Sequence, residues 1–264
     1  MPNAIRRALV TGASSGIGYA LSLRLAQRGI EVWVSARRAD LLDTLVAEIT
    51  AAGGKAHALM LDVAKGDETA ARLAKLDEDS GGIDLVVANA GVGGERGGAP
   101  MIDSTWAEVR DMLTINMLGA AATVTPFIKP MVARRHGQIV GVSSLSARSL
   151  MPRGEHYGAS KAGMSFFLRA LDVELRPLGV PVTVIEPGFM VTPMSDTLTD
   201  PQPFRLSLAR SVQLIERAID RQTRLVRFPW QLHWLTAFSN ALPYFIYAPL
   251  MRVVTKPKAL SAKH

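Results

Sequence analysis

Tyr157 and Lys161 stand four residues apart in Tyr157-Gly158-Ala159-Ser160-Lys161, a spacing that puts both side chains on one face of a helix. A free phenol, with a pKa of about 10, is a poor acid–base catalyst near neutrality, and a neighbouring ammonium stabilises the phenolate and lowers that value. The pair alone is a common helix-surface pattern. Ser143-Ser144 strengthens it, because these hydroxyls follow the apolar run Ile139-Val140-Gly141-Val142 and Ser144 lies 13 residues before the tyrosine. In a parallel sheet that position is the C-terminal edge, where ligands bind.

A second group of residues suits a phosphate. Thr11-Gly12-Ala13-Ser14-Ser15-Gly16-Ile17-Gly18 follows the first apolar run and precedes a helix-like stretch. Glycines there permit a tight turn and close approach of a pyrophosphate, whose charge is favoured at a helix N-terminus. Three residues between the first two glycines is not the commonest dinucleotide spacing. A purely structural turn is the alternative. After the second apolar run, Ser35-Ala36-Arg37-Arg38 carries no carboxylate until Asp40. An acidic residue there would bind the ribose hydroxyls of NAD, whereas a guanidinium pairs with the 2′-phosphate of NADP. Two solvated arginines opening a helix would read the same way, but NADP is the expectation.

The elements that must position these groups show in the hydropathy pattern. Apolar runs Ala8–Val10, Val32–Val34, Ala58–Leu61, Leu85–Val87, Ile139–Val142 and Val182–Ile185 alternate with helix-like stretches near 16–28, 39–52, 65–78, 104–134 and 155–177. Continuous rather than alternating apolar strands imply a sheet covered on both faces. The predicted fold is α/β, a Rossmann-like doubly wound parallel sheet of about seven strands with a C-terminal helical extension. The chain of 264 residues, 48% hydrophobic and 20% charged, is long enough for such a core. Zero cysteines exclude disulfides and thiolate chemistry, and the five histidines share no helix face at ligand spacing, so no metal site is expected. The start Met1-Pro2-Asn3-Ala4-Ile5 leaves no room for a signal peptide before the first strand. A cytoplasmic location is expected.

With these residues in order, the chain resembles the short-chain dehydrogenase/reductase family over roughly residues 5–194. The matching motifs are Thr11-Gly12-(x)3-Gly16-Ile17-Gly18, Asp62-Val63, Asn89-Ala90-Gly91, Asn116, Ser144, Tyr157-(x)3-Lys161 and Pro187-Gly188-(x)3-Thr192. The resemblance implies that Tyr157 exchanges a proton with the substrate oxygen and that Ser144 holds that oxygen. It implies that Lys161 lowers the tyrosine pKa and binds the nicotinamide ribose, with Asn116 supporting a water-mediated proton path. Cofactor contacts would come from Gly12, Ser14, Ser15, Gly16, Ile17 and Gly18, from Arg37 and Arg38, and from Asp62 and Val63 at the adenine. Asn89, Ala90 and Gly91 would line the adenosine side, and Pro187, Gly188, Met190 and Thr192 the carboxamide. One departure is Ala88, where many members carry asparagine.

Bland readings apply elsewhere. His156 is expected in the pocket wall, and Trp106, Met112 and Leu113 at core spacing on a long helix. Met164, Phe166, Phe167 and Leu171 lie on the helix read as starting at Tyr157, which in the family packs against its copy. A homodimer or homotetramer is therefore expected. The amphipathic stretch from Phe204 to Gln222 falls in a substrate cap expected over about 193–222, followed by a seventh strand, Arg224–Phe228. Apolar Phe189, Met190, Met194, Leu198 and Phe204 point to an apolar substrate.

Charge is uneven. Residues 1–190 carry a net +1, and residues 191–264 hold ten cations against four acids. Between 228 and 251 no residue is charged, counting histidine as neutral, while Trp230, Trp234, Phe238, Tyr244, Phe245 and Tyr247 all occur. Aromatics next to basic residues favour a segment lying in a membrane interface. A lid or subunit interface over the pocket is the alternative. A true span is opposed by Pro229, Pro243 and Pro249. Nucleic acid is not an expected partner, because these aromatics are not interleaved with the cations.

The domains read as a single Rossmann unit over 1–228 with an extension over 229–264. The functional expectation is an NADP(H)-dependent oxidoreductase interconverting an apolar or lipid-like ketone or aldehyde and its alcohol, in the cytoplasm, with peripheral membrane contact through the tail. The alternative is a membrane-associated NADP-binding module without turnover.

Overall fold

The structure, a computed structural model, describes residues 5–93, 101–191 and 202–254. Thr192, Met194 and Leu198 lie outside the described residues. Seven strands form one sheet in the order β3-β2-β1-β4-β5-β6-β7: β1 (Arg7–Thr11), β2 (Glu31–Ala36), β3 (Ala56–Met60), β4 (Leu85–Ala88), β5 (Gln138–Val142), β6 (Val182–Pro187) and β7 (Leu225–Phe228). Every pairing is parallel.

Alternate strand residues face opposite layers, and both are apolar. On β1, Ala8 and Val10 pack into one core with α1 (Gly16–Gln27) and α2 (Ala39–Ala51), through Leu21, Leu25, Leu42, Leu45 and Ile49. Leu9 between them enters the second core. That core is completed by α3 (Gly66–Asp79), α5 (Gly119–Arg134) and α6 (Glu155–Leu175), through Leu73, Phe127, Met131, Met164 and Leu168. The sheet is thus doubly wound. Its strand order turns outward in both directions from the boundary between β1 and β4, which opens a crevice at their C-terminal ends.

Several residues depart from the sequence-based expectation. The edge strand β3 has one neighbour only, and its Met60 is 57% exposed. Trp106, expected in the core, is 72% exposed. It is the first residue of α4 (Trp106–Leu113), whose start is set by a capping box between Thr105 and Glu108, so only Met112 reaches the interior. Helix α6 begins at Glu155, two residues before the tyrosine, and Phe166 on it is exposed.

The stretch expected as a cap divides. Residues 192–201 are outside the described set, and Leu206 pairs with the backbone of Phe189 and Val191. Beyond it, α7 (Leu208–Asp220) is a layer helix rather than a lid. Val212, Ile215 and Ile219 are buried in the first core, and Glu216 and Asp220 pair with Arg24 of α1 and Arg28 at its C-cap.

The extension folds as two helices, α8 (Trp230–Ala241) and α9 (Tyr244–Val254), separated at Pro243. Each falls short of the ~20 residues a bilayer span needs. The described helix long and apolar enough to cross a membrane is instead Trp106–Arg134, which buries Met112, Val124, Phe127 and Met131 in the fold.

Candidate active site

The loop after β1 is held by its neighbours before any ligand is considered. Gly12 has φ +67°, and a Cβ there would lie 2.7 Å from Ala90 Cα. A Cβ on Gly18 would lie 2.5 Å from the Gly12 carbonyl oxygen. Asn89 Nδ2 donates to the carbonyls of Thr11 (2.8 Å) and Gly12 (3.2 Å), and Thr11 Oγ1 accepts from the backbone of Asn89 and Ala90. The Asn89 side chain therefore ties β4 to the loop rather than pointing into open space.

Ser15 occupies the N-cap of α1 with no side-chain cap, so the first-turn amides of Gly16, Ile17 and Gly18 offer an anion site. Arg37 and Arg38 follow β2, both exposed, and Arg38 Nη2 donates to Ser14 Oγ at 3.1 Å. One guanidinium thus already leans over the loop. Asp62 Oδ1 accepts from the Ala64 amide at 3.1 Å, which fixes the turn after β3, and buried Val63 lies against Gly119. These donors, a free helix N-terminus beside two cations, fit a dinucleotide carrying an extra phosphate.

The candidate catalytic side chains come from three elements. Ser144, two residues beyond β5, is the N-cap of a 3-10 turn, Leu145–Arg148, with Oγ accepting from the Ser146 amide at 3.1 Å. Tyr157 and Lys161 lie one turn apart on α6. Burial pushes the Tyr157 phenol above its ordinary pKa, and a hydrogen bond with Ser144 pulls it partly back. Lys161 is 5% exposed, its Nζ donates to the Val142 carbonyl at 3.0 Å, and burial lowers its pKa to about 8.

Asn116 sits in a π-helical turn, Thr114–Leu118, between α4 and α5. Fully buried, it accepts from the Val92 amide at 2.8 Å and donates to the Val92 carbonyl and to Ser160 Oγ, each at 3.0 Å. A Cβ on Gly91 would meet Asn116 Oδ1 at 3.0 Å and Lys161 Nζ at 3.2 Å, so Gly91, Asn116 and Lys161 converge. Across the crevice, Gly188 donates to the Phe228 carbonyl at 2.7 Å, next to the buried end of β6 at Pro187, and Met190 bridges to Leu206. His156 is half-buried, with Nδ1 enclosed and unpartnered.

Three hydroxyls to which sequence motifs attach no role join the site. Ser160 Oγ donates to the Tyr157 carbonyl at 2.8 Å and accepts from Asn116. Ser165 Oγ donates to Ser143 Oγ, which donates to the Lys161 carbonyl, at 2.8 and 3.0 Å. Small polar residues on the helix that carries Tyr157, facing a strand end, were the available signal.

Comparison with known proteins agrees with this geometry. The model of the short chain dehydrogenase family matches residues 6–203. An uncharacterized oxidoreductase of Myxococcus xanthus is 43% identical over 238 residues, spanning 90% of this chain and 93% of its own. A 3-oxoacyl-(acyl-carrier-protein) reductase FabG of Staphylococcus epidermidis is 33% identical, over 74% of this chain and 79% of its own. The crystal structure of a metagenomic short-chain oxidoreductase in complex with NADP superposes with a TM-score of 0.71 at 28% identity, covering 84% of this chain and 96% of its own. The chain belongs to the short-chain dehydrogenase/reductase family, and it is an oxidoreductase of that family.

Proposed function

We propose that this protein is an NADP(H)-dependent reductase of an apolar ketone or aldehyde, with Tyr157 as the proton donor. The observation that carries the reading is the Tyr157 phenol, hydrogen-bonded to Ser144 and one helical turn from the buried Lys161 ammonium. A bound nicotinamide dinucleotide would supply hydride for the carbonyl carbon.

The chain's own residues do the rest. Ser144 holds the substrate oxygen beside Tyr157. Because burial keeps the phenol protonated, it has a proton to give as negative charge develops on that oxygen. Lys161 stabilises the phenolate left behind and binds the ribose, and Asn116 supports a proton path from Lys161 to solvent. The first turn of α1 and Ser14 would hold the pyrophosphate, and Arg37 and Arg38 the 2′-phosphate. Asp62 and Val63 would lie toward the adenine, Asn89 to Gly91 toward the adenosine side, and Pro187, Gly188 and Met190 toward the carboxamide.

Half-buried Phe189 and Met190 beyond β6, and Leu232 of α8 against Gly188, support an apolar substrate. The 3-oxoacyl reductase among the relatives supports a carbonyl carried on an acyl chain. Consumption of NADPH and of NADH is to be followed with carbonyl compounds of increasing chain length. The reading expects turnover that rises with chain length and a preference for NADPH of at least about tenfold, the scale of one charge-assisted contact. Tight NADPH binding with no turnover of any apolar carbonyl would contradict it and leave a binding module.

A further inference from the structure

The two C-terminal helices have unlike faces. Inward, Leu232 packs against Gly188, Thr236 and Met251 are buried, and Tyr247 donates its hydroxyl to the Leu150 carbonyl at 2.9 Å. Asn240 donates to the Arg148 carbonyl, on the turn that Ser144 caps. These contacts fix which face of the helix pair is turned outward. On α8, Trp230, Trp234 and Phe238 recur every four residues as one stripe, 67%, 64% and 68% exposed. Tyr244 and Phe245 open α9 with about three-quarters of their surface in solvent, and Ile246 and Leu250 extend the patch. So large a run of exposed aromatics on a folded element marks a surface that is covered in use.

We propose that this outer face docks on an anionic lipid surface. The argument for that occupant is charge. From Trp230 to His264 the sequence holds four lysines and arginines and no acidic residue, and α8 itself carries no lysine, arginine, aspartate or glutamate. Exposed Arg252 lies on α9, whose first turn carries the exposed Tyr244 and Phe245. Tryptophan and tyrosine suit the headgroup boundary, where an apolar ring and a polar edge are both accommodated. Cations nearby are attracted to anionic headgroups. A second copy on this face would instead bring two acid-free, cationic segments together.

The same helix touches Gly188 and the Ser144 turn, so docking would hold the mouth of the site at the lipid boundary. This deepens the substrate class to a carbonyl compound dissolved in the bilayer, and that deepening alone rests on the reductase reading.

Sedimentation with vesicles tests the docking without any turnover. Full-length protein is mixed with vesicles of phosphatidylcholine, with and without phosphatidylglycerol, and NADPH binding is measured on the same samples as a check of the fold. The expected result is binding to the anionic vesicles at least tenfold stronger than to the neutral ones, weakened by salt. Trp230→Ser/Trp234→Ser/Phe238→Ser should abolish it with NADPH binding unchanged, and Arg252→Glu should weaken it about tenfold or more. No binding to anionic vesicles overturns the proposal, as does a triple variant that binds like the wild type. A wild-type assembly that the triple variant loses, with neither protein on vesicles, assigns the face to a second copy instead. A protein that binds vesicles but reduces nothing would fail the reductase reading and leave the docking standing.

Discussion

Lys161 is the residue whose energetics are most exposed to test. Its ammonium is enclosed and its pKa lowered to about 8 by burial, against 10.5 in the unfolded chain. Between those values the unfolded chain binds more protons, so stability of the cofactor-free protein should rise as pH rises from 8 to 10.5. Below pH 8 the buried charge is a standing penalty. Lys161→Met should therefore raise the melting temperature at pH 7, by an amount equivalent to about 1–3 kcal/mol, while abolishing turnover; thermal scans at pH 7 and pH 10 should show the gap closing. At the other end of the crevice, Arg38 reaches Ser14 over the phosphate loop. Arg37→Ala/Arg38→Ala should weaken NADPH by about 10- to 100-fold and leave NADH within about twofold, as two charge-assisted contacts to one phosphate would, measured by fluorescence titration. Tyr157, Lys161 and Ser144 were legible in the sequence because their relation is local spacing on a helix and the end of an apolar run. The Val142 carbonyl that accepts from Lys161, and the Ser143–Ser165 pair behind it, were not, because they depend on how α6 is laid on β5.

At the scale of elements, the site hangs on strand ends tied by buried charges. Glu186 of β6 is 1% exposed and pairs with Arg227 of β7 at 2.7 Å. Arg227→Met strands that carboxylate and should cost about 3–5 kcal/mol, read as a lower denaturation midpoint. Tyr247 braces the segment after the Ser144 turn, and Tyr247→Phe removes one hydrogen bond and should cost about 1 kcal/mol. The π turn at Thr114–Leu118 was invisible in the sequence, since 104–134 reads as one helix and nothing in its periodicity announces an extra residue in the turn. The turn matters because it carries the Asn116 amide to Val92 and Ser160. Trp106 misled for a related reason: helical spacing names a face but not whether the first turn still overlies the sheet.

For the molecule as a whole, the seven strands and their layers follow from apolar runs whose alternate residues serve opposite cores. The edge strands β3 and β7 depart from the both-faces-covered rule that the inner strands obey. The tail was half legible: composition set its aromatics apart, but only the folded helices show which of them face inward. Helix α6 presents Phe166 and Val173, each 77% exposed, two turns apart on one side. Their apolar surface suits a second copy, and Phe166→Glu should reduce an assembled protein to monomers in light-scattering chromatography. The account as a whole turns on Tyr157. Purified Tyr157→Phe should bind NADPH within about twofold of the wild type and lose carbonyl reduction by about 10²–10⁴-fold, the contribution of a positioned proton donor. A phenylalanine variant that reduces the same substrate at close to the wild-type rate would contradict it.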